Sequence, residues 1–156
     1  MSAKRPARPA ATPAKKAKQA KPPRQARAAA PPPAIRRLVK ESTAPVRGET
    51  KSLEADGALA FVAATVVMQG AATGTSQLGL EIDGELVHLV RADHLVAQSL
   101  STPNPAGVFA THASYGNHWT VVFGWSAPVR CERGVRLLAT IAEDVQAIEL
   151  ALIVGR

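Results

Sequence analysis

The chain has 156 residues, a net charge of +7, 46% hydrophobic residues and a single cysteine, Cys131. That length allows one domain and an appendage, and one cysteine excludes an internal disulfide framework and every multi-cysteine zinc pattern. No apolar run approaches the roughly 18 residues that span a bilayer. The basic N-terminus also lacks the apolar stretch of a secretory signal, so a soluble chain is predicted.

The overall charge conceals a division. Residues 1–51 hold 14 Lys/Arg and 2 acids, whereas residues 52–156 hold 5 Arg, no Lys and 10 acids, giving +12 and −5. Opposite signs in the two parts point to a basic tail that meets a polyanion, carried by a body that does not.

From Ser2 to Ala34 there is no Val, Ile, Leu, Phe, Trp or Tyr, and prolines recur from Pro6 to Pro33. Each proline fixes φ and removes a backbone donor, so neither a long helix nor a strand persists. With nothing to bury, the segment is predicted to be a disordered or extended arm of polyproline II character, ending in the stiff run Pro31-Pro32-Pro33. In residues 35–51, Ile35, Leu38 and Val39 fall at helical spacing. One or two helical turns, or a clip docked on a neighbouring surface, are predicted there. The domain reading is a basic arm and linker over 1–51 and a folded domain over 52–156.

The texture then turns to strands. Phe61 to Met68 is rich in β-branched residues. In residues 75–91, Leu78, Leu80 and Ile82 alternate before Asp83-Gly84, which predicts a hairpin with a type I′ turn. A regular register sets Ile82, Leu80 and Leu78 opposite Glu85, Val87 and Leu89. Residues 91–100 read as a short helix or an edge strand. Trp119, Val121, Phe123 and Trp125 share one face of the clearest period-two run. Residues 134–142 and 145–155 follow, the latter with Ile148, Leu150, Leu152 and Val154 on one face. Seven or eight strands without a long helix predict an all-β fold, an antiparallel β-sandwich that is jelly-roll-like.

The body offers no constellation that an enzyme needs. His88, His94, His112 and His118 form no metal-binding pair, and Asp93-His94 lacks a nucleophile elbow. Residues 70–76, GAATGTS, lack the lysine of a phosphate loop and read as a flexible inter-strand loop. Glu81, Asp83 and Glu85 lack a calcium-loop pattern and read as a solvated turn. Cys131 reads as a structural thiol, and Trp119 and Trp125 as core. No catalysis, metal or cofactor is expected.

The candidate site is the arm. Its polyanion-binding residues are Lys4, Arg5, Arg8, Lys15, Lys16, Lys18, Lys21, Arg24, Arg27, Arg36, Arg37 and Lys40, with no acid among residues 1–40. If all of them met nucleic-acid phosphates, affinity would fall with salt at a log–log slope of about −8 to −11. Such contacts are blind to sequence, and the arm has no aromatic residue to stack on bases.

The arm KRPARPAATPAKKAKQAKPP (4–23) followed by a strand-rich body from about residue 53 resembles the layout of virion structural proteins. These are small jelly-roll capsid proteins and capsid decoration or cement proteins with a basic N-terminal arm. The resemblance is one of architecture and carries no motif. It implies a non-catalytic subunit that assembles with itself as a homotrimer or lattice and with other capsid subunits. Its arm would lie on packaged genome or on acidic capsid surface, and its location would be the virion. Residues 12–23, TPAKKAKQAKPP, also resemble the tails of linker histones and bacterial histone-like proteins. That likeness implies instead a nucleoid- or chromatin-associated protein, cytoplasmic or nuclear, with a β-sandwich oligomerisation module. A trimer of the C1q/tumour-necrosis-factor type is a third resemblance, which the basic arm disfavours.

Overall fold

A computed structural model describes residues 34–156. Among them ten strands and one short helix follow in order: β1 (Ile35–Thr43), β2 (Thr50–Asp56), β3 (Leu59–Gln69), β4 (Gln77–Ile82), β5 (Glu85–Arg91), α1 (Ala92–Ala97), β6 (Val108–Ala113), β7 (His118–Phe123), β8 (Val129–Cys131), β9 (Gly134–Thr140) and β10 (Ala147–Gly155). No helix is long and apolar enough to cross a membrane among the described residues.

The strands form two antiparallel sheets. One runs β1-β10-β3-β7-β6, with β8 also paired to β3, and the other runs β2-β9-β4-β5. Setting aside the accessory strands β6 and β8 and numbering the other eight in chain order gives 1-8-3-6 and 2-7-4-5. This interleaving, in which nearly every connection crosses from one sheet to the other, is the jelly roll. The predicted all-β, jelly-roll-like sandwich is what the chain forms.

Alternating side chains build the core between the sheets. Phe61, Val66 and Met68 from β3, Val121 and Phe123 from β7, and Ile148, Leu150 and Leu152 from β10 meet Leu78, Leu80 and Leu137 from the facing sheet, all essentially inaccessible to water. Trp119 lies inward as predicted, and its indole N–H donates to the carbonyl of Ala71 at 2.9 Å. Trp125 lies just past β7 and meets Phe61 edge-on, with ring centroids 6.2 Å apart.

Three sequence readings are corrected. Residues 35–43 are a strand, not helical turns: β1 pairs antiparallel with β10 from Ile35↔Gly155 to Thr43↔Ala147. The apolar spacing was misleading because an edge strand sends few residues inward, and Leu38 is the β1 residue packed on the core. The boundary drawn at 51/52 therefore falls inside β2, and residues 35–51 contribute to both sheets. The third correction concerns the β4–β5 hairpin. Its turn is as predicted, with φ of 55° at Asp83 and 85° at Gly84. Its register is not, because Leu80 faces His88 and Leu78 faces Val90 beyond an irregularity at Leu80/Glu81. Val87 is the extra residue of a bulge, and one extra residue moves everything after it to the opposite face.

Candidate interaction surfaces

Of the predicted polyanion-binding residues, Lys4, Arg5, Arg8, Lys15, Lys16, Lys18, Lys21, Arg24 and Arg27 lie outside the described residues. The other three stand on β1, an outer strand of its sheet. Strand alternation separates them. Arg37 is on the outward face and pairs with Glu149 at 2.8 Å. Lys40 donates to the carbonyl of Ser52 on β2 at 3.0 Å. Arg36 lines a cleft of about 310 Å³ with Asp56 and Arg156. Two of the three cations are thus engaged within the chain and exposed at the same time, so a polyanion reaching them competes with one carboxylate and one carbonyl.

At one end of the β2-β9-β4-β5 sheet lies a groove of about 380 Å³. Glu54, Asp56, Glu81 and Asp83 line it together with Arg133 and Arg136. Arg136 bridges Glu54 at 2.7 Å and Glu81 at 3.4 Å. Carboxylates outnumber guanidiniums here, in keeping with the acidic composition of residues 52–156.

Two carboxylates in this body do structural work that sequence reading missed. Asp83 accepts hydrogen bonds from the backbone N–H groups of Glu132, Arg133 and Gly134 at 2.7–3.0 Å. Those three donors hold its carboxyl below the usual range, the Glu132 N–H most strongly. The residue read as a solvated turn is therefore a clamp between the β4–β5 turn and the β8–β9 turn. Asp83→Ala is expected to lower the thermal midpoint, because it removes the acceptor and puts a residue less suited to φ of 55° in the turn. Asp83→Asn, which tolerates that conformation, should fall between the two in calorimetry. Because the folded carboxyl is more acidic than the unfolded one, the wild-type advantage is present above the ordinary value of 3.8 and fades as pH falls below it.

Glu143 is the second. It is only 4% exposed, yet it is a carboxylate. The loop 70–76 wraps it: Thr73 donates through N–H at 2.7 Å and through its hydroxyl at 2.9 Å, Gly74 N–H at 3.2 Å and Thr75 N–H at 2.7 Å. Gly74 has φ of 67°, and a Cβ there would sit 2.8 Å from the Trp119 ring. The loop packs that closely only because residue 74 is glycine. The segment read as a flexible loop is thus cast around a buried anion. The one sequence signal was an acid at Glu143 between two apolar strands, and it names no partner.

Cys131 is fully buried, with burial pushing its thiol pKa up, which fits the structural reading. His88 turns inward, stacked on Trp125 at 5.5 Å and tilted against Phe123 at 5.9 Å, and burial pushes its pKa down. Among the described residues no three His, Cys, Asp or Glu side chains are grouped to hold a metal ion. In comparison with known proteins, no family model and no curated protein matches this chain.

Proposed function

We propose that the protein is a virion structural subunit, a capsid or capsid-stabilising (decoration) protein whose jelly-roll body acts by shape and whose basic arm acts by charge. The observation that carries this reading is the division of charge. Residues 1–40 bear 12 cations and no acid, while the sandwich residues 52–156 carry a net −5. A polycation joined to a body of opposite sign can neutralise phosphate, or the acidic surface of a neighbouring subunit, without the body collapsing onto nucleic acid. The role is mechanical and electrostatic rather than catalytic. The partners are other copies of the chain, other capsid subunits and packaged nucleic acid, and the location is the virion.

Sedimentation of the purified full chain with and without DNA or RNA tests the reading. A multimer formed in the absence of nucleic acid is the expected result. A strict monomer that binds duplex DNA with a steep salt dependence would overturn it in favour of a nucleoid-type protein.

A further inference from the structure

The bulge at Val87 turns His88 off the outer face of β5 and into the space between the two sheets. Its imidazole stacks on the Trp125 indole at 5.5 Å and tilts against Phe123 at 5.9 Å. The backbone carbonyl of Ala106 is its hydrogen-bond acceptor, whereas Nε2 is buried with no partner among the described residues. The neutral ring therefore directs its hydrogen at Ala106 and keeps a bare lone pair at Nε2. The two segments that meet the ring are also tied to each other. Gly124 N–H donates to the carbonyl of Gly107 at 2.8 Å, and a Cβ at Gly107 would collide with the Trp125 indole. Asn104 folds the loop before Gly107 on itself, through side-chain bonds to the backbone of Thr102, Ala106 and Val108. Residues 101–106 are otherwise mostly exposed, and β5 is an outer strand paired only with β4 among the described residues. Segments held by so few contacts are the ones that open locally.

We propose that His88 is an acid-sensitive latch: as a neutral ring it holds the 101–107 loop and Trp125 against β5, and on taking up a proton it releases them. A proton on Nε2 creates a buried cation without an acceptor, which the closed arrangement cannot accommodate. Opening brings the ring to water, where it charges at ordinary cost. No neighbouring charge compensates in the closed state. β4 contributes Glu81, which Arg136 bridges, and β5 itself carries Glu85 and Arg91 at its two ends, Arg91 being bound by Asp93 of α1. β3 and residues 98–109 and 119–128 contain no Asp, Glu, Lys, Arg or His. His94 on α1, His118 at the far end of β7 from Phe123 and Arg130 on β8 are exposed. Burial pushes the His88 pKa down and outweighs the Ala106 carbonyl, which acts to raise it; no charged side chain contributes. The folded value thus lies below the ordinary 6.5, so the latch is closed above 6.5 and loosens as pH falls from there toward the lower folded value. Asp83 and Glu143 respond only below 3.8 and 4.5, which separates their effect from this one. The latch needs no partner and operates whether or not the body assembles.

The test uses the full-length protein and NMR. Amide hydrogen exchange at Gly107 and Gly124, corrected for its intrinsic pH dependence, is followed together with the titration of the His88 ring. Opening at these two amides is expected to increase about threefold or more between about pH 7.5 and about pH 5, with His88 titrating below 6.5. His88→Phe keeps an aromatic ring for Trp125 but takes up no proton, so the increase should vanish. His88→Gln, polar and neutral throughout, should lose it as well, and thermal melts at neutral pH establish that each variant is folded. His112 is an internal control. It stacks on Trp119 at 4.1 Å but is exposed, so its own titration should leave Gly107 and Gly124 unchanged. A wild-type His88 that titrates at or above 6.5 overturns the proposal, and so does exchange at Gly107 and Gly124 that ignores pH across this range. Folded His88→Phe and His88→Gln proteins with the same acid response as wild type overturn it too. The two wild-type measurements decide the matter even where a variant fails to fold.

Discussion

Glu143→Ala is expected to destabilise the sandwich by about 3–5 kcal/mol, a fall of about 15 °C or more in the thermal midpoint. The size follows from what is left behind. Four donors from Thr73, Gly74 and Thr75 converge on one carboxylate, and its removal strands the buried ones without water or partner. Glu143→Gln separates charge from shape. It preserves the volume but replaces one oxygen with an amide that points donors at donors, so it should recover little. Burial is the largest single influence on the Glu143 carboxyl and acts to raise its pKa, but the hydrogen bonds from Thr73, Thr75 and Ser76 together outweigh it, and the net direction is down. The folded carboxyl is therefore more acidic than the unfolded one. Its stabilising contribution is complete above the ordinary value of 4.5 and is lost as pH falls through the lower folded value. Denaturant melts of wild type and Glu143→Gln should converge as the pH is lowered through that window. Curves that stay parallel down to acid pH would show that the buried carboxylate does not hold the loop.

Deleting residues 2–33 is expected to have the largest effect on binding and almost none on folding. The first strand among the described residues begins at Ile35, and residues 2–33 contain no Val, Ile, Leu, Phe, Trp or Tyr to supply a core, so the melt should stay cooperative. Nine of the 12 cations in residues 1–40 are removed. The log–log salt slope for binding a nucleic acid should shrink by about 6–8, which abolishes measurable affinity at moderate ionic strength. Of the three that remain, Arg37 and Lys40 already have partners on β10 and β2. Titrating a labelled oligonucleotide at several salt concentrations measures this directly. A truncated protein that binds with an unchanged slope would move the polyanion site into the sandwich, against its acidic composition.

The strands that were legible in sequence are those whose two faces differ. β7 reads correctly because Trp119, Val121 and Phe123 all lie inward, and β10 because Ile148, Leu150, Leu152 and Val154 do. Burial leaves a period-two record in such strands, and the record is local. The Asp83-Gly84 turn was legible for a related reason, since the positive φ at both positions depends on those two residues alone. The separation of a cationic arm from an acidic body is likewise a property of composition and needs no fold to be seen.

β1 was misread because its identity comes from β10, more than 100 residues away, and its own side chains are mostly exposed. The bulge at Val87 was invisible because alternation predicts a register only while no residue is inserted, and here one extra residue exchanges the inner and outer faces of β5. Asp83 and Glu143 escaped notice for the same reason. Their partners are backbone N–H groups about 50 and 70 residues distant, and a backbone donor has no signature in sequence. The sequence by itself thus determined the class of fold, the hairpin turn and the division of charge, all of which follow from neighbours along the chain. The tertiary structure alone decided where the sandwich begins, which side of β5 faces water and which acids hold the loops, because each depends on pairing between distant segments.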